Sequence, residues 1–73
     1  MITYKEFSKI IKEKRILKGF SQKEFSIMLT INVSKLNKIE NGKQEPNFLE
    51  LELICQYLNI NLDELFSLWV IIF

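Results

Sequence analysis

The sequence predicts an all-α fold, a compact domain of five short helices, and three observations predict it. Glycine and proline are scarce, two and one in 73 residues, while 48% of the chain is hydrophobic and 26% charged. That is too apolar for disorder and too poor in turn residues for a many-stranded β protein. Five helix-start signals follow one another along the chain, most of them closed by a residue suited to a left-handed stop. Between these signals apolar residues recur three and four apart, the spacing of a single helix face.

The first helix is expected at about 4–18. Thr3-Tyr4-Lys5-Glu6 fits a capping box, in which the threonine hydroxyl accepts an early backbone N–H and the glutamate three residues on reaches back. Phe7 and Ile11 share a face, and Gly19 suits the closing position. Ser21-Gln22-Lys23-Glu24 repeats the box and opens a second helix at 22–29, with Phe25 and Leu29 four apart. Asn32 can cap a third at 33–41, where Leu36 and Ile39 are three apart and Gly42 ends the run. Pro46 precedes Asn47…Glu50, an asparagine-led version of the same start, for a fourth at 48–58. Its apolar row is Phe48, Leu51, Ile54, Cys55 and Leu58, with Asn59 able to close it. Asn61…Glu64 opens a fifth at 62–68 or beyond, carrying Leu62, Leu65 and Phe66. All these apolar residues are read as core.

Length limits the chain to one domain with a modest core. Net charge is only +1, but it is unevenly spread. Residues 1–43 hold all ten Lys and Arg against four acids, a balance of +6, whereas residues 44–73 hold five acids and no base. Such asymmetry suggests one face for a polyanion and another for something else. The lone Cys55 excludes an internal disulfide, and without histidine no zinc-site spacing can be drawn. Met1 to Glu6 lack a signal-peptide pattern, and the longest apolar run, Leu68 to Phe73, is far short of the roughly 20 residues that span a bilayer. A soluble cytoplasmic protein with no membrane, metal or cofactor is expected. An enzyme is not: there is no glycine-rich phosphate loop, Cys55 lies on a core face, and Asp63-Glu64 reads as a first-turn acidic pair favoured by the helix dipole.

Only Thr30, Ile31 and Asn32 separate the second and third helices. Two short helices joined this way form a helix-turn-helix, whose second helix stands proud and fits a major groove about 12 Å wide. Ser21-Gln22-Lys23-Glu24-Phe25, Leu29, Lys38-Ile39-Glu40-Asn41-Gly42-Lys43, Pro46 and Ile60-Asn61-Leu62-Asp63-Glu64-Leu65-Phe66 together resemble the lambda-repressor/Cro type of helix-turn-helix domain, also called the xenobiotic-response-element family. The match runs from about Ile11 to Phe66 and implies a helix-turn-helix DNA-binding domain over 1–66, followed by an apolar tail over 67–73. The resemblance implies that Val33, Ser34 and Lys38, with Asn37 beside them, reach base edges of double-stranded DNA. Lys38 can donate to guanine and Val33 can touch a thymine methyl. Gln22 would bond a phosphate at a helix N-terminus, Asn41 and Lys43 match backbone-phosphate positions, and Lys35 adds nonspecific attraction. Arg15 matches an arginine that pairs with Glu40 and faces the phosphates. As a surface bridge that pair would contribute under about 1 kcal/mol.

Two departures from the family pattern carry consequences. Thr30 stands where the turn usually has glycine, and a β-branched residue disfavours positive φ, so a slightly different turn is expected. Val33 and Ser34 are short, so modest per-site selectivity is expected, with affinity resting on phosphates. Beyond the resemblance, Leu68, Trp69, Val70, Ile71, Ile72 and Phe73 form an apolar tail, and Leu49, Leu53 and Tyr57 recur every four residues on a flank of the fourth helix. Tail and flank are expected to meet, either within one chain with the tail as a lid on its own core or, the favoured reading, across two chains, because domains of this kind read paired half-sites about 34 Å apart. The function implied is a transcription regulator, a repressor or autoregulator binding a palindromic operator as a homodimer without a small-molecule ligand. The family's compact members include phage repressors, restriction–modification controllers and antitoxins, which the sequence does not separate. The alternative is a protein-interaction module that binds a toxin or other protein through the tail.

Overall fold

In the computed structural model, which describes residues 3–61, helices follow in the order read from the sequence. They are α1 (Tyr4–Leu17), α2 (Gln22–Leu29), α3 (Val33–Glu40) and α4 (Phe48–Leu58). Among the described residues there is no strand, and no helix is long and apolar enough to cross a membrane. The expected fifth helix at 62–68 and the tail at 67–73 lie outside the described residues.

Each helix starts where a side chain takes up an otherwise orphaned N–H. Ser21 and Asn47 form complete capping boxes, with Glu24 and Glu50 bonding back to the cap N–H at 3.0 and 2.9 Å. Asn32 accepts from the Lys35 N–H at 2.7 Å. The Thr3 box forms only in half: its hydroxyl accepts from the Glu6 N–H at 3.2 Å. Both residues are exposed, where a return bond would displace only water and contribute little.

The stops share one device. A left-handed residue follows each helix: Gly19 (φ 83°), Thr30 (φ 60°), Gly42 (φ 71°) and Asn59 (φ 57°). The next residue then sends its N–H back five positions, Phe20 to Arg15, Ile31 to Ser26, Lys43 to Lys38 and Ile60 to Cys55, at 2.9–3.2 Å. This closing bond satisfies a carbonyl that the helix leaves unpaired. Thr30 is thus left-handed despite its branched side chain, and the turn keeps the geometry that glycine would give.

Helix α3 packs against α1 and α2, and α4 packs against the same two helices. Phe7 and Ile11 from α1, Phe25 and Leu29 from α2, and Leu36 and Ile39 from α3 meet Leu51, Ile54, Cys55 and Leu58 of α4 in one buried cluster. Phe25 lies parallel to Phe20 at 6.0 Å and edge-on to Tyr57 at 6.4 Å. Phe48 departs from the expected core: it is 61% exposed. It occupies the first position of α4, and the row of that helix first becomes buried at Glu50 and Leu51.

Candidate nucleic-acid interface

The inner face of α3 is set by Leu36 and Ile39, which are fully buried, and by Glu40. Helical spacing therefore turns Val33, Ser34, Asn37 and Lys38 outward together, and all are exposed, Val33 by 44%. They form one strip one to two residues wide along an eight-residue helix. The three-residue turn from α2 holds this helix by the Ile31 N–H bond to Ser26 O and by Ile31 packing on the core.

Around the end of α3 the polar groups converge on Glu40. Arg15 Nε donates to Glu40 Oε2 at 2.7 Å, its Nη2 to Oε1 at 3.1 Å, and its Nη1 to the Phe20 carbonyl at 2.8 Å. The two side chains are 8% and 1% exposed, so the pair is buried rather than a surface bridge. Removing one partner of such a pair leaves an uncompensated buried charge, a loss of about 3–5 kcal/mol and well above the surface figure. The bidentate geometry explains why arginine and not lysine suits the position. Gln22 Nε2, half-buried at the start of α2, donates to the same Glu40 Oε1 at 3.2 Å. One carboxylate thus ties the starts and ends of three helices together.

Asn41 donates through Nδ2 to the carbonyl and Oδ1 of Asn37, at 2.8 and 3.1 Å. That contact joins an outward position of α3 to the residue just past its end, and it engages the Asn37 amide oxygen, while the Asn37 NH₂ has no partner among the described residues. Lys43 is exposed, whereas Lys35 is half-buried and its Nζ lies 2.6 Å from Glu50 Oε2. The Glu50 carboxylate therefore serves the α4 capping box and α3 at once. Of the flank residues, Leu49 is 67% exposed, Tyr57 is 37% exposed, and Leu53 is half-buried against the core. Leu68, Trp69, Val70, Ile71, Ile72 and Phe73 lie outside the described residues.

Among the described residues, three groups shift from their ordinary titration. Burial, with the Glu45 carboxylate adding to it, pushes the Tyr4 phenol up to about 12. Burial likewise raises the Cys55 thiol, and the hydrogen bonds from the Ser21 backbone and side chain lower the exposed Glu24 carboxyl. Sequence reasoning did not find Tyr4, whose hydroxyl donates to the Gln44 carbonyl at 2.6 Å. Nor did it find the Lys35–Glu50 contact. Neither has a local signal, since the partners lie 40 and 15 positions apart.

Two adjacent helices at this turn, with an outward polar strip on the second, define a helix-turn-helix domain. The family described as Helix-turn-helix matches residues 11–65, most of the chain. The chain belongs to that family, the Cro/C1-type helix-turn-helix DNA-binding domains of transcription regulation. It is similar to a Bacillus subtilis (strain 168) protein, the uncharacterized HTH-type transcriptional regulator YazB. The two are 40% identical over 55 residues, 75% of this chain and 80% of that protein. No solved structure matches it.

Proposed function

We propose that this protein is a sequence-specific transcriptional regulator, a cytoplasmic repressor or autoregulator that binds a palindromic operator as a homodimer. The observation that carries the proposal is the outward strip of Val33, Ser34, Asn37 and Lys38 on a helix whose other face is buried. Family membership supports the DNA role, and the description of the Bacillus subtilis relative supports the regulatory one. In this reading α3 lies in the major groove. Lys38 donates to guanine O6 or N7, Val33 contacts a thymine methyl, Ser34 bonds an adjacent base edge, and the NH₂ of Asn37 seeks an acceptor. Lys43 bonds a phosphate just past the helix, and Asn41 does so when its Nδ2 exchanges Asn37 for a phosphate oxygen. Gln22 and Arg15 present to the backbone the N–H groups that Glu40 and Phe20 leave over. Lys35 adds attraction through an ammonium that Glu50 partly offsets.

Only Lys38 is a long polar arm among the base-facing residues, so affinity rests largely on phosphates. Selection of bound duplexes from a random pool, followed by titration of the selected duplex against salt, tests this. A recurrent half-site repeated with twofold symmetry is expected, with log K falling steeply as log salt rises. Absence of binding even at low salt sinks the reading in favour of a protein-interaction module. A slope near zero sinks its phosphate component.

A further inference from the structure

A groove of about 430 Å³ runs along α1 beside the end of α3, lined by Lys5, Ser8, Lys9, Lys12, Glu40 and Asn41. Its lysines recur at i, i+4 and i+7, so they stand on one face of α1. All three are exposed, and none pairs with a carboxylate among the described residues. Glu40 is the single acid in the lining, and its two oxygens already accept from Arg15 and Gln22. The groove therefore carries three ammonium groups with little to offset them.

We propose that this groove binds the DNA backbone as a second phosphate track, outside the helix-turn-helix itself. The proposal rests on the DNA-binding reading above and assigns Lys5, Lys9 and Lys12 a role in it. Asn41 is both a lining residue and the first position past the reading helix, so the groove begins where the contacts of α3 end. Gln22 touches Glu40 at 3.2 Å, which places the start of α2 against the same lining.

The site is also held rigidly. A Cβ on Gly42 would come within 3.1 Å of Lys5 Cγ and 3.3 Å of Ser8 Oγ, so the loop after α3 lies directly against this part of α1. The Tyr4 hydroxyl fastens the same loop at Gln44. From Lys5 to Lys12 the helix rises about 10 Å. That exceeds the roughly 3.4 Å axial rise between successive phosphates of a strand, so the row can meet more than one. The Ser8 hydroxyl is engaged with the Lys5 carbonyl at 2.7 Å, which leaves flexible ammonium groups as the donors, a set suited to a chain of phosphates.

The test compares wild type with the triple variant K5Q/K9Q/K12Q on the duplex that wild type selects. All three positions are exposed, so thermal melting should stay unchanged, and single variants serve if it does not. The expected result is a salt slope shallower by about 1–2, corresponding to one or two lost phosphate contacts. Discrimination between selected and scrambled duplexes should remain, because phosphates carry no sequence. Ethylation interference should lose one or two adjacent phosphates per half-site. A variant with the wild-type slope and the wild-type interference pattern overturns the groove while leaving the DNA-binding reading intact. Failure of wild type itself to bind any duplex overturns that reading, and the groove with it.

Discussion

Thr30 occupies a conformation, φ 60° and ψ 39°, that ordinary L residues avoid at a cost of about 1–2 kcal/mol. It stays there because its surroundings over-determine it. Its own N–H bonds Ile27 O at 3.1 Å, the following N–H bonds Ser26 O at 3.0 Å, and Ile31 must reach the core. Moving Thr30 to a relaxed region would break both bonds and pull Ile31 out. Thr30→Gly should therefore stabilise the domain, though by less than the full strain, because glycine gains freedom in the unfolded chain. A net gain of about 0.5–1 kcal/mol is expected, read as a higher urea midpoint at unchanged slope. A lower midpoint would show that Thr30 contributes more than it strains. Residue identity alone pointed the wrong way here: the branched side chain argued for an altered turn, and the hydrogen bonds on either side outweighed it.

At the scale of elements, the helix starts and stops were legible because their chemistry is local. Ser21 with Glu24 and Asn47 with Glu50 lie three positions apart, and both boxes close as written. What joins the elements was not legible. Glu40 meets Arg15 and Gln22 across 25 and 18 positions, and only the family resemblance hinted at the first of these. Tyr4 is the clearest case, since it bonds a backbone carbonyl, which no side-chain pattern announces. It clamps α1 to the segment carrying Asn41 and Lys43, donating to Gln44 O at 2.6 Å with Ile39 O at 3.3 Å. Only the neutral phenol can donate, and burial, with the Glu45 carboxylate adding to it, keeps it neutral by pushing it up to about 12 from an ordinary 10.0. A folded-state pKa raised above the unfolded one means stability that is complete below pH 10 and is lost as pH rises toward 12. Tyr4→Phe should cost about 1 kcal/mol at neutral pH, the net worth of a hydrogen bond. The difference between wild type and variant should then shrink from pH 10 to 12. Urea unfolding of both proteins across that range checks it, and the comparison cancels the lysines, which they share. A constant difference would mean that burial beside Glu45 does not hold the Tyr4 phenol neutral.

For the whole molecule, charge and apolar surface divide along the chain. The ten bases lie on α1 to α3 and the loop after them, with the proposed DNA contacts and the groove. Helix α4 and the residues after it carry acids and no base, so a partner meeting that side is not a polyanion. Two large apolar side chains begin α4 exposed, Phe48 by 61% and Leu49 by 67%. Leu49 leads the row that continues through Leu53 to Tyr57, and that row turns from solvent toward the core as it descends the helix. Contact between two copies would cover its exposed upper end, and a twofold pair would present two α3 helices to a palindrome. Leu49→Lys tests this without touching the core, since the side chain is mostly in water. If the proposed dimer uses the flank, sedimentation should show the intact chain as a dimer and the Leu49→Lys chain as a monomer, with equal melting of the isolated fold. A chain shortened after Ser67 reports separately on the tail. The selected palindrome should bind the monomeric variant far more weakly than wild type, while a single half-site should bind both alike, because coupling two modest readers is what multiplies their affinity. An intact chain that sediments as a monomer, both alone and on the palindrome, would remove the dimer and leave α3 to read DNA alone.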